Sequence, residues 1–275
     1  MTYTELVEDG PIRKCIRIDR KFLETTITQY VYLEKSSKKL DFKTIIDCNH
    51  DDILIKAAFP VDVHASEAAY DIQFGNVKRP THWNTSWDYA RFEVCAHKWA
   101  DLSEDDYGVS LLNDCKYGHD IKGSVLRLTL LKSAIEPYPD ADRGLHEFTY
   151  SLYPHTGDFK KAHTIDMAYK LNYRPYAYYV EKGTGDVENY KSFITCNDEN
   201  VIVDTLKKAE DTDDLVLRVY ECFNRRTDCT IDFGFDVSKI TECDLMENDI
   251  CNVEFENNTL KFNIKPYEIK TFKLS

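Results

Sequence analysis

Apolar residues at every second position recur along this chain, and a helical repeat is hard to find. Leu126, Leu128 and Leu130 alternate with Arg127 and Thr129, and Phe148, Tyr150 and Leu152 alternate with Glu147, Thr149 and Ser151. Near the end Ile231, Phe233, Phe235 and Val237 do the same, followed by Leu260, Phe262 and Ile264. A period of two puts one face of a strand in a core and the other outside it. Asn257-Asn258 sits between Val253–Phe255 and the last of these runs, and asparagine tolerates the positive φ of a hairpin turn. Pro266 then interrupts pairing before a final strand with Phe272 and Leu274 inward and Lys273 outward.

One segment reads as a helix. Asp158 is placed to cap it, Phe159, Ala162, Ile165 and Tyr169 recur at helical spacing, and Pro175 lies beyond its end. Strands that follow strands, with one short helix, exclude the βαβ rhythm of a parallel sheet and predict an all-β, antiparallel sandwich. The segment 174–191 lacks alternation and holds Gly183 and Gly185, which predicts a large sandwich over 1–185 and a small one over 186–275. We find no internal repeat and no low-complexity tract.

With 35 basic and 48 acidic residues, the net charge of −13 repels a phosphate backbone. The basic residues come singly or in pairs such as Lys38-Lys39 and Arg225-Arg226, so nucleic acid is excluded as an expected partner. No run approaches the ~18 apolar residues of a membrane span, and residues 1–21 read as lacking the apolar core of a secretory signal. The nine cysteines are odd in number and contain no C-x-x-C, which favours reduced thiols and a cytoplasmic location. Cys222 and Cys229 could pair if their strands met, but buried free thiols are the simpler expectation.

The densest chemistry lies between Arg79 and Asp120. All three tryptophans, Trp83, Trp87 and Trp99, fall there with His82, His97, His119, Asp88 and Asp120. Aromatic and polar groups at this density suit either a sugar-contacting surface or an aromatic sheet core. Trp83 and Trp87, four apart in a segment read as non-helical, could stack on sugar rings, with Asn84 and Asp88 bonding hydroxyls. The three histidines match no zinc-ligand spacing, so no metal ligand is assigned. Glu104-Asp105-Asp106 reads as a solvated turn before the strand that starts at Tyr107. Glycoside hydrolysis needs a specific pair of carboxylates, and nothing in the sequence singles out a pair, so no catalytic residue is assigned.

The order of residues in this stretch says more than its density. RPTHWNTSWDYARFEVCAHKWADLSE followed by YGVSLLNDCKYGHD resembles the C-terminal β-region of the family-38 glycoside hydrolases, the α-mannosidases, in their cytosolic and bacterial branch. FKTIIDCNHDD, KAAFPVDVHASEAAYDIQFG and HEFTYSLYPHTGDF agree with it, as does the tail from DENVIVDTLKKAEDTDDLVLRVYE to KPYEIKTFKLS. The resemblance implies a large super-sandwich of the galactose-mutarotase type, then a small β-sandwich. It also implies a partner: an N-terminal catalytic domain that supplies a zinc site and both catalytic carboxylates, with no cofactor bound by this chain itself. The substrate implied is a mannose-containing oligosaccharide, and a homo-oligomer is possible. Relatives of the Golgi type carry an acidic-Arg-Gly loop whose arginine approaches the sugar. Asp140-Ala141-Asp142-Arg143-Gly144 is similar to it, making Arg143, with Asp140 and Asp142, the implied substrate contact. The chain departs from its relatives at Cys48-Asn49, where they carry a tryptophan and another polar residue, so that turn is given no role.

Three functions remain open at this point. The leading one is a non-catalytic sandwich supporting an α-mannosidase. The others are an autonomous carbohydrate-binding module built on Trp83 and Trp87, and a mutarotase-type enzyme with a His/Glu acid–base pair.

Overall fold

The computed structural model describes residues 2–181, 185 and 190–275. Contacts divide it into two compact units, one of residues 1–72 and 77–176, the other of 73–76 and 177–275. Of the expected boundary at 185/186, residue 186 lies outside the described residues, as does Gly183.

The first unit opens as a meander of β1 (Thr2–Asp9), β2 (Arg13–Phe22), β3 (Thr25–Glu34) and β4 (Leu40–Cys48). There follow β5 (Ile53–Pro60), β6 (Glu67–Ile72), β7 (Gly75–Pro80), helix α1 (Ser86–Ala90), β8 (Val94–Cys95) and β9 (Trp99–Ser103). The unit closes with β10 (Tyr107–Asn113), β11 (Gly118–Lys122), β12 (Val125–Ser133), β13 (Gly144–Thr156) and helix α2 (Thr164–Asn172). Nine strands form one sheet in the order β1-β2-β3-β4-β13-β10-β9-β6-β7, and four form a second, β5-β12-β11-β8. Between them lie Ile46, Leu102, Leu111, Leu126, Leu128, Phe148 and Tyr150, all nearly inaccessible. This is the antiparallel sandwich that the alternation predicts.

Two details depart from the sequence reading. Thr149 and Ser151 are buried along with Phe148 and Tyr150, because the outer face of the large sheet is covered too. Trp99 stacks there on Phe159 at 4.8 Å, and α2 buries Ile165, Ala168 and Leu171. That helix starts at Thr164, not at Asp158. His163 takes a left-handed conformation, φ 52°, at its N-cap, which breaks any helix running through it. Asp158 instead caps the preceding turn, accepting from Lys161 N at 3.0 Å.

The second unit contains β14 (Ile194–Cys196), β15 (Val201–Lys208), β16 (Leu215–Glu221), β17 (Thr227–Phe233) and β18 (Ile240–Cys243). It ends with β19 (Asp249–Val253), β20 (Phe255–Glu256), β21 (Thr259–Ile264) and β22 (Ile269–Leu274). Its sheets are β14-β17-β21-β20 and β15-β16-β22-β18-β19, with Leu217, Ile231, Ile240, Leu260 and Phe272 between them. The Asn257-Asn258 turn is as expected, with φ of 51° and 58° closing the β20–β21 hairpin. Phe235 and Val237 fall beyond the end of β17, so their alternation belongs to a loop, although Val237 still enters the core.

The large sheet is wider than its cover. Phe42 and Tyr150 pack on Phe59 of β5, at 5.6 and 6.2 Å, and β5 is the last strand of the four-stranded sheet. Leu6, Ile16, Val31, Phe42 and Tyr150 form one lateral row, each opposite the next across the ladder. Residues directly opposite share a face. The row therefore runs from the core outward, and its exposure rises to 41% at Ile16 and 57% at Leu6.

Candidate functional site

The tryptophan-rich run folds into a wall beside β6, β7 and β11. Thr85 and Asp88 form a reciprocal capping box that starts α1, so the segment holding Trp87 is helical, contrary to expectation. The Thr85 hydroxyl, donating to Asp88 Oδ2 at 2.9 Å, and then the Thr85 backbone N–H hold the Asp88 carboxyl below its usual range. A small pocket opens here, lined among others by Tyr70, Arg79, His82, Trp83, Asp88 and His119. Its room for water centres is about 20 Å³, enough for roughly one water molecule and far too little for a hexose.

Among the described residues, two polar atoms in that wall lack protein partners. Arg79 Nε and His119 Nε2 are buried and make no hydrogen bond. His119 Nδ1 donates to Tyr117 O at 3.3 Å, which leaves Nε2 as an acceptor. Burial pushes the imidazole down to about 4, because the surroundings offer poor solvation for its charged form. Asp120 is committed elsewhere, with Lys56 Nζ at 2.7 Å and Arg127 Nη1 at 2.8 Å.

The expected site residues are placed as follows. Trp83 is half-buried, with Lys122 Nζ 3.7 Å from its ring centroid and Tyr89 edge-on at 5.7 Å. Trp87 is 75% exposed. Of the histidines, His82 and His119 line the small pocket, while His97 packs on Tyr117 at 5.2 Å. No glutamate lines the pocket, so it does not form the open His/Glu cleft that a mutarotase-type enzyme needs.

Arg143 lies on the β12–β13 loop with both arms of its fork engaged. Nε donates to Asp51 Oδ1 at 2.7 Å and Nη2 to Oδ2 at 2.5 Å, a bidentate pair. Asp140 O accepts from Arg143 N at 3.2 Å. Asp142 stands at φ 54°, and its carboxylate accepts from Lys132 N at 3.3 Å. These contacts shape an exposed turn that already displays a carboxylate-binding arginine.

One cluster escaped the sequence reading. His155 Nε2 lies 2.8 Å from Asp101 Oδ2 and 3.0 Å from Ser110 Oγ. Ser110 Oγ also meets Thr164 Oγ1 at 2.8 Å. A serine, a histidine and an aspartate in contact invite comparison with a hydrolytic triad. In a triad the two ring nitrogens serve the acid and the serine separately; here one nitrogen meets both, while Nδ1 faces Gly157 O at 3.1 Å. All four residues are buried, so no substrate reaches the serine. The cluster joins β9, β10, β13 and α2, and only strand register, not spacing, brings it together.

Sequence comparison adds the decisive observation. The profile of the Glycosyl hydrolases family 38 C-terminal domain matches residues 2–140, and that of the family's C-terminal beta sandwich domain matches residues 200–272. The chain belongs to glycosyl hydrolase family 38. Among family-38 relatives, Alpha-mannosidase G of Dictyostelium discoideum is 41% identical over 280 residues, covering 98% of this chain and 26% of its own length. Human Alpha-mannosidase 2C1 is 38% identical over 253 residues, covering 90% and 24%. An alpha-mannosidase structure from Enterococcus faecalis V583 superposes with a TM-score of 0.83 at 17% identity, over all of this chain and 35% of that one. The family-38 chain described here thus spans about a quarter of the length of the curated relatives it matches. Its sandwich fold is the family's C-terminal fold.

Proposed function

We propose that this chain is the non-catalytic β-sandwich portion of an α-mannosidase and packs against that enzyme's catalytic domain. The exposed pair Leu6–Ile16, next to half-buried Val31, carries the proposal. It continues the core of the large sheet past the edge of its cover, and exposed apolar surface of this kind marks a protein-facing site. The partner is the domain that supplies the nucleophile, the acid–base carboxylate and the zinc, and the substrate class is the mannose-containing oligosaccharide. Arg143, Asp140 and Asp142, with Trp83 and Trp87, are the proposed contacts to that substrate or its cleft.

Zinc does not fit the sugar-facing residues present here. Among the described residues no histidine joins a group of three ligands able to hold a metal, so no step is routed through zinc in this chain. Cys15, Cys48, Cys95, Cys115, Cys196, Cys229, Cys243 and Cys251 carry free thiols, which suits a reducing cytoplasm.

Co-expression tests the proposal. The chain alone should leave an aryl α-mannoside intact with zinc present, and activity should appear when it assembles with the remainder of a family-38 α-mannosidase. Hydrolysis by the isolated chain would overturn the proposal. Saturable binding of mannose oligosaccharides by the isolated chain would favour an autonomous module instead.

A further inference from the structure

In the second unit the short edge strand β14 ends at Cys196, beside the inner strand β17. Cys196 Sγ lies 3.7 Å from Cys229 Sγ, and a ligand atom of Asp198 lies within 4.8 Å of both. Cys229 is 1% exposed, while Cys196 and Asp198 are half-buried, which leaves an approach from the surface.

Register decides what such a pair of thiols can do. Cys196 is opposite Ile231, so Cys229 is its diagonal neighbour, two residues along the facing strand. Diagonal neighbours in an antiparallel pair have Cα atoms ~7–8 Å apart. A disulfide needs ~4.4–6.8 Å, so a direct bond would require the backbone to move. Two thiolates held ~2.3 Å from a tetrahedral metal, by contrast, stand ~3.8 Å apart, close to the separation found.

We propose that Cys196, Cys229 and Asp198 form a binding site for a soft divalent cation of the zinc type, with a water-filled fourth position. Soft thiolates select zinc over calcium or magnesium. On binding, two S–H protons are released, two S–metal bonds form and the Asp198 carboxylate adds a third ligand, with no change of oxidation state. The ion clips the three-residue edge strand β14 to β17. It is a structural site, independent of the α-mannosidase reading and remote in chemistry from any sugar-orienting zinc.

Cadmium(II) supplies a readable probe, because thiolate-to-cadmium charge transfer absorbs in the ultraviolet. The test uses the full chain, reduced and metal-free, with the exposed thiols removed as Cys95→Ser, Cys115→Ser and Cys251→Ser. The expected result is one equivalent of cadmium bound with the absorbance of two thiolates, displaced by zinc(II), with a higher thermal midpoint in the bound form. Cys196→Ser, at a half-exposed position, should abolish the band while circular dichroism shows the fold intact, and Cys229→Ala should do the same. Asp198→Asn keeps an oxygen acceptor for Thr230 N, which now donates to Oδ2 at 3.1 Å. As loss of a charged ligand, it should weaken binding at least as much as loss of an outer-shell partner does, about tenfold or more. A band that survives Cys196→Ser, no band at all, or a Cys196–Cys229 disulfide forming in air would each overturn the proposal.

Discussion

Leu6 of β1 stands directly opposite Ile16 of β2 on the core-facing side of the large sheet, yet both are exposed, at 57% and 41%. Edge strands with apolar faces invite association. Leu6→Asp with Ile16→Asp should therefore leave the isolated chain folded, with little change in thermal midpoint, and reduce its self-association in sedimentation velocity. In the assembled enzyme the same pair of changes should weaken docking and lower activity. A large loss of stability in the isolated chain would show that this face is already packed.

The buried cluster of Asp101, Ser110, His155 and Thr164 should behave as architecture. Ser110→Ala removes a hydroxyl that meets three partners. Leaving buried polar groups without partners costs about 1–3 kcal/mol each, so the unfolding free energy should fall by an amount of that order, read as a lower urea midpoint. Gly108→Ala should be worse, because a Cβ there would come within 2.5 Å of both His155 Cε1 and Ser103 Oγ. Neither change should alter mannoside hydrolysis in an assembled enzyme once the comparison is made well below the unfolding transition. A selective loss of kcat for Ser110→Ala would restore the triad interpretation.

Much of this architecture was legible because half-buried strands write their packing as a period of two. Leu126, Leu128 and Leu130 and the Asn257-Asn258 turn are examples. The period is silent about what covers each face. Ile16 and Ile18 alternate with Arg17 and Asp19 just as core residues do, although Ile16 is exposed, while Thr149 and Ser151 look solvent-facing and are buried. The start of α1 was readable from Thr85 and Asp88, spaced as a capping box. Its helical character was missed because five residues are too few to show a helical period. Cys222 and Cys229 looked like the closer partners in sequence, but register sets Cys229 beside Cys196, and Cys222 Sγ donates to Asn200 O at 3.3 Å. Contacts made by register across distant strands leave no local signal.

Arg143 and Asp51 test whether the β12–β13 loop serves the substrate. Both are exposed and solvent-screened, and surface pairs contribute little to stability. Arg143→Ala should leave the thermal midpoint of the isolated chain essentially unchanged. In the assembled α-mannosidase it should raise KM or lower kcat, and Arg143→Lys should not restore the parent values, because lysine lacks the planar fork. Unchanged kinetics in both variants would confine the arginine to its ion pair with Asp51.

His119 should make stability depend on acidity. Its ordinary value of 6.5 is lowered to about 4 in the fold by burial. The unfolded chain therefore binds this proton first as pH falls, and protonation favours unfolding. The stabilisation is complete above the unfolded value, declines as pH drops through the window from 6.5 to about 4, and is gone below it. One group contributes a slope of at most ~1.4 kcal/mol per pH unit, so about 3 kcal/mol is at stake across the window. His119→Asn keeps a polar side chain without a titrating ring, and its urea-unfolding free energy should vary less between pH 7 and the acid end of that window. Carboxylates add their own acid dependence to parent and variant alike, so the difference between the two curves is the diagnostic quantity. Parallel curves would mean that the imidazole stays as solvated in the folded chain as in the unfolded one, contrary to its enclosed position between β8 and β12.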